Sequence, residues 1–245
     1  MKDSLYGAVQ AAGICDLAEA RMLVAAGFTH LGFPLGPGVQ AQDVTPQQAA
    51  AIAQAVGKEV VCVCITYLTE AEAVLDLLER CSMRAVQLHG AIPVTEAAKL
   101  RNLAPDLLII KSIVVGRTGQ AEPEALVRAY APHVDAFLTD TFDPTTGAEG
   151  ATGKVHDWAV SRRLVSISSH PVILAGGLHL GNVVQAIQAV RPAGVDAHTG
   201  LEDATGRKDL EKAQRFTVLA LQELPKSAEQ GKQNPPFSRR CAGST

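Results

Sequence analysis

Two periods of apolar and polar positions take turns along this chain. Short runs of small and branched apolar residues fall at 7–12, 29–34, 59–65, 84–88, 107–113, 134–139, 171–175 and 193–197. Between them lie stretches with apolar positions three and four apart, such as 17–26, 46–56, 70–80 and 182–190. Continuous apolar runs suit strands covered on both faces, and the longer period suits the helices that cover them. Strand followed by helix, repeated eight times, predicts an α/β protein with a parallel sheet. Units of about 25–30 residues fit a single closed (β/α)8 barrel, the TIM-barrel architecture. An open doubly wound sheet is the alternative, but it calls for a G-x-G-x-x-G turn after the first strand. The chain reads Ala12-Gly13-Ile14-Cys15 there.

The length of 245 residues fits one such domain, and the repeat spans residues 1–224. From Pro225 onward the periodicity stops and Gln, Lys, Pro, Ser and Arg take over, which predicts a disordered tail over 225–245. Residues 141–153 are rich in Gly, Thr and Pro and form a long loop after the sixth strand. Loops of that length in compact domains often act as lids.

Composition narrows the function classes. Net charge is −3 and no Lys/Arg run occurs, so neither nucleic acid nor an anionic membrane surface is an expected partner. No apolar run reaches a membrane span, and no stretch reads as a signal peptide; a cytoplasmic protein is expected, monomer or homodimer. The five cysteines, Cys15, Cys62, Cys64, Cys81 and Cys241, fit no zinc spacing. Cys62 and Cys64 share one face of a strand, but no further ligands accompany them. Reduced thiols are expected, with no metal and no organic cofactor.

The densest chemical pattern runs from 140 to 202. It reads Asp140-Thr141, Gly150-Ala151-Thr152-Gly153, Asp157-Trp158, then Leu174-Ala175-Gly176-Gly177-Leu178, then Gly194-Val195-Asp196-Ala197-His198-Thr199-Gly200-Leu201-Glu202. Two late strands run straight into small-residue turns. Such turns present backbone N–H groups to a dianion, and a pair of them late in a barrel is the usual build of a sugar-phosphate site. Gly176, Gly177, Thr199 and Gly200 are therefore candidate phosphate ligands. Asp140 follows an apolar strand, where barrels keep their reactive groups, and is the first catalytic candidate.

These motifs, with Gln87-Leu88-His89-Gly90 and Gly206-Arg207-Lys208-Asp209, resemble those of the phosphoribosylanthranilate isomerase family over about residues 8–220. The resemblance implies an Amadori rearrangement of a phosphorylated aldosylamine to an aminoketose. An acid opens the sugar ring to an iminium and a base then takes the proton on C2. It puts Asp140 at the acid, and Gly13 and Gly153 among the residues around the substrate. The first strand departs from the family's K-I-C-G: Gln10 stands at the lysine and Ala12 at the cysteine base. Gln42 stands at the arginine that meets the anthranilate carboxylate. Losing that bidentate partner costs on the order of 3–5 kcal/mol for a buried carboxylate, which points away from anthranilate as the aglycone. Candidate replacement bases are Cys15, if its thiolate is favoured, and the histidines His89 and His198. His198 stands where the family has serine, so a phosphate contact is its other reading. Three outcomes follow: an isomerase with a relocated base, a paralogue acting on another phosphosugar, or a phosphosugar-binding protein without catalysis.

Overall fold

The computed structural model describes residues 5–39, 44–116, 121–141 and 157–226. Eight parallel strands close into a barrel: β1 (Ala8–Ala12), β2 (His30–Pro34), β3 (Val61–Thr66), β4 (Ala85–Leu88), β5 (Leu108–Val115), β6 (Ala136–Thr141), β7 (Val172–Leu174) and β8 (Gly194–Ala197). The helices are α1 (Leu17–Ala25), α2 (Pro46–Val56), α3 (Ala71–Cys81), α4 (Val94–Leu103), α5 (Ala121–Tyr130), α6 (Trp158–Ile167), α7 (Val183–Val190) and α8 (Leu210–Glu223). β1 pairs with β8 from Ala8↔Gly194 to Ala11↔Ala197. That pairing closes the sheet and excludes the open doubly wound alternative. Each expected strand is present, with its ends displaced by no more than two residues. The expected tail and the 141–153 loop fall almost wholly outside the described residues.

Strand alternation divides the core in two. Val9, Ala11, Leu31, Phe33, Val86, Leu88, Ile109, Phe137, Leu174 and Val195 point outward and are buried under the helices. Val63, Ala85, Leu108, Ile110, Ala136, Leu138, Ile173 and Ala175 point inward, with Leu5 among them. Helix starts follow the sequence. Asp16, Asp157 and Asp209 accept backbone N–H bonds at the first turns of α1, α6 and α8. Thr45 and Gln48 form a reciprocal capping box on α2 with Pro46 at the first position. Such caps satisfy N–H groups that a helix leaves unpaired.

Two buried charges brace the strands. At the N-terminal end, Arg101 of α4 meets Asp135 at 2.5 Å, and Asp135 also accepts the Ile109 N–H at 2.9 Å. At the opposite end, the Lys111 ammonium donates to the carbonyls of Leu88, Gly90 and Ser112 at 3.1, 3.0 and 2.8 Å. The three bonds match the three donors of an ammonium and fix the end of β4 against β5. No helix among the described residues is long and apolar enough to cross a membrane.

Candidate active site

The inward side chains turn polar toward the C-terminal ends of the strands. Gln10 of β1 donates to Gln87 of β4 at 3.0 Å, and Gln87 donates to Ser112 of β5 at 3.2 Å. β1 and β4 are not neighbours, so their side chains meet only through the interior. Ser112 Oγ also contacts His89 Nδ1 at 3.1 Å, and the His89 ring lies 4.9 Å from that of Tyr67. His89 is thus seated by two partners at the rim of the barrel. Gln10 stands level with His30 on one side and Asp196 on the other. Burial pushes the His30 imidazole down to about 4, which makes it a neutral core histidine.

Asp140 is the last residue but one of β6 and is 6% exposed. Burial raises its carboxyl above the ordinary range; the charges of His89 and His198 and a hydrogen bond from the Thr141 N–H oppose this. That backbone bond is 2.7 Å long. Asp196, inward on β8, is pushed up to about 7 by burial and by the charge of Asp140, against a Gln10 hydrogen bond and Lys208. Its Oδ1 has no hydrogen-bond partner among the described residues. The mouth of the barrel therefore holds two carboxyls that keep protons more tightly than free ones, as proton donors require.

His198 follows Asp196 at the next inward position. Its Nε2 lies 3.1 Å from Glu202 Oε1, and the same oxygen meets the buried Lys208 ammonium at 2.8 Å. The His198 hydrogen bond, followed by that of Lys208, draws the Glu202 carboxyl down to about 2. The imidazole rests on Gly13, where a Cβ would come within 2.3 Å of Nε2. Gly13 also has φ +78, so the position favours glycine twice over.

The two late turns converge. Gly176 and Gly177 have φ of 90 and 63. Thr199 and Gly200 lie on the 3-10 turn Thr199–Leu201. A Cβ on Gly200 would meet the Leu178 carbonyl at 2.0 Å, so the second turn is seated directly on the first. Among the described residues, the N–H groups of Gly176, Gly177, Thr199 and Gly200 have no intrachain acceptor. Asn182 holds the first turn open by donating to the Gly177 carbonyl at 2.9 Å.

Cys15 is placed differently from the expectation of a base. Its thiol donates to Glu19 Oε2 at 3.0 Å, on the α1 side of the loop. Burial, with that hydrogen bond, pushes it up to about 12. A thiol held in this way is a poor proton acceptor. Glu19 uses its other oxygen to accept the Lys208 N–H at 3.0 Å, joining the first and last loops. Cys62 and Cys64 face the helices rather than the site, and Cys64 shares a hydrogen bond with Cys81 of α3. The described residues hold no cluster of three or more His, Cys, Asp or Glu suited to a metal. Gln42 and Gly153 lie outside the described residues.

The family model for N-(5'phosphoribosyl)anthranilate (PRA) isomerase matches residues 10–218. The chain belongs to this family. An N-(5'-phosphoribosyl)anthranilate isomerase of Desulforudis audaxviator is 39% identical over 216 residues, covering 88% of this chain and 98% of the relative. The N-(5'-phosphoribosyl)anthranilate isomerase 2 of Methanosarcina mazei is 35% identical, covering 86% and 93%. Among solved structures, the phosphoribosylanthranilate isomerase of Thermotoga maritima superposes with a TM-score of 0.74 at 29% identity, over 87% of this chain and 98% of its own. Another solved member of the family, 27% identical with a TM-score of 0.72, holds reduced 1-(o-carboxyphenylamino)-1-deoxyribulose 5-phosphate.

Proposed function

We propose that this protein isomerises a phosphorylated aldosylamine to the matching aminoketose, with phosphoribosylanthranilate as its nominal substrate. The observation that carries the reading is Asp140: a buried carboxyl with a raised proton affinity at a strand end. An acid of this kind protonates the furanose ring oxygen, the C1–O bond breaks, and the nitrogen lone pair forms the C1=N iminium. The phosphate would lie on Gly176, Gly177, Thr199 and Gly200, whose N–H groups supply donors without a positive side chain. Family membership supports both assignments, and so does the phosphorylated ligand of the solved relative. The reaction itself needs no metal or organic cofactor, and a small phosphorylated metabolite fits a cytoplasmic setting.

A second reading keeps the reaction and changes the aglycone. It is favoured by Ala12 and Gln42, which stand at the family's cysteine and arginine. Both belong to the half of the substrate away from the phosphate.

The test is turnover of freshly generated phosphoribosylanthranilate, followed by loss of its fluorescence, with Asp140→Asn as control. The substitution keeps size and removes the acid, and should lower kcat by about 10²–10⁴-fold. An Asp140→Asn enzyme as fast as wild type rejects Asp140 as the acid. A wild type that binds ribose 5-phosphate but leaves phosphoribosylanthranilate untouched favours the second reading. If other phosphorylated aldosylamines are untouched as well, a binding protein remains.

A further inference from the structure

Ring opening by Asp140 leaves an iminium whose C2 proton must go to a base. Resting on the isomerase reading, we propose that His198 is that base and that Glu202 is the residue that positions it. The strand register sets Ala197 beside Ala11, so His198 extends β8 alongside Ala12, the place of the family's cysteine. Ala12 ends in a methyl group and Gly13 has no side chain. The imidazole lies over Gly13, close enough that a Cβ there would sit 2.3 Å from Nε2 and 2.9 Å from Cε1. A ring from the neighbouring strand thus fills the end of β1.

The ring's orientation is set by Glu202. A carboxylate only accepts, so the 3.1 Å contact with Nε2 puts a proton on that nitrogen. In the neutral ring Nδ1 then keeps its lone pair. Glu202 is itself fixed by the buried Lys208 ammonium at 2.8 Å and by the antiparallel bridge between residues 202 and 208. Asp140 near the end of β6 and His198 just past β8 stand at the same end of the barrel, with only β7 between their strands. The rival groups are otherwise engaged. The Cys15 thiol donates to Glu19, His89 is tied to Ser112 and packed on Tyr67, and Asp196 lies one inward position deeper.

The step balances as follows. His198 Nδ1 takes the C2 proton, the C2–H electron pair becomes the C1=C2 bond, and the C1=N π pair moves onto nitrogen. The enaminol ketonises as the imidazolium returns its proton to C1 and the C2 hydroxyl gives its proton to Asp140. Both groups end as they began.

Three variants, H198A, E202Q and D196N, test this with two readouts. The first is turnover together with ribose 5-phosphate affinity by calorimetry. H198A should lose about 10²–10⁴-fold in kcat, with ribose 5-phosphate Kd unchanged; E202Q should lose less and keep the affinity. The second is the nitrogen NMR spectrum of histidine-labelled protein. It should show His198 in the Nε2–H tautomer, with that preference relaxed in E202Q. The proposal is overturned if H198A keeps its kcat, or if it loses ribose 5-phosphate affinity instead, which would make His198 a phosphate ligand. It is also overturned if D196N is inert while H198A is active, or if His198 is in the Nδ1–H tautomer. A wild type inactive on every phosphorylated aldosylamine sinks the isomerase reading by itself. The spectrum still decides whether Glu202 positions His198.

Discussion

Gly13→Ala should damage stability and chemistry together, and the structure sets the size of both effects. At φ +78 a residue with a Cβ pays roughly 1–2 kcal/mol of backbone strain. The added Cβ would stand 2.3 Å from His198 Nε2, far inside contact distance, so the ring must leave. Leaving breaks its bond to Glu202, a charge-assisted bond of about 1.5–3 kcal/mol in general. The low end applies, because the His198 side chain is 29% exposed and water replaces part of the loss. The sum is about 2.5–3.5 kcal/mol, or a fall in Tm of about 5–14 °C for a domain of this size. Calorimetric melting checks the stability, and initial rates should show kcat falling as far as in H198A. The double variant isolates the clash: in an H198A background, Gly13→Ala should cost only the backbone strain of about 1–2 kcal/mol. If the two substitutions add without interaction, or if Gly13→Ala melts like wild type, the packing described between β1 and β8 is wrong.

Other perturbations have equally definite outcomes. Cys15→Ala should keep kcat within about threefold of wild type, since no proton passes through that thiol, and should cost about 1 kcal/mol in urea unfolding for the lost Glu19 bond. A fall of two orders of magnitude would restore Cys15 as the base. Asp196, raised to about 7 when folded, lies above its unfolded value of about 3.9. Its contribution is therefore present in full below about pH 4 and is lost as pH rises through about 7. Asp196→Asn removes that dependence, so the variant should gain stability over wild type from pH 5 to pH 8 in urea titrations. An unchanged difference between the two pH values would mean Asp196 is ionised throughout. Arg101→Met should cost about 3–5 kcal/mol by taking the guanidinium from the buried Asp135 carboxylate, and adding Asp135→Asn should recover part of it. Equal stabilities for the single and double variants would show that solvent reaches Asp135.

The barrel was legible because its signal is collective. Eight apolar runs and their covering helices reinforce one another, and strand ends displaced by one or two residues do not alter the topology. Residues whose place follows from position along a strand were legible too. Asp140 stands at the C-terminal end of β6, one residue before its last, and the glycine turns follow β7 and β8. What depends on which side chain meets which was not. Cys15 looked free in sequence, but Glu19 holds it as a thiol, and the pattern that could have warned of this is Asp16 followed three residues later by an acid at the start of α1. Asp196 and Glu202 stood inside quoted motifs without a role. The carboxyl of Asp196 depends on Asp140, which is 56 residues earlier, and that of Glu202 on His198 and Lys208. The Gln10–Gln87–Ser112 chain spans the interior, and no local periodicity announces such a contact.

The seat of Gly200 on the Leu178 carbonyl has a bearing on descent. It makes the turns after β7 and β8 a single clasp, encoded entirely near the rear of the chain together with His198, Glu202 and Lys208. Ala12, Gly13 and Gln42 all come from the front. Inheritance can therefore vary Ala12 and Gln42 more readily than the clasp, while Gly13, under the His198 ring, stays tied to the rear. Locked by a glycine that admits no substitute, the clasp passes to each successor as one piece.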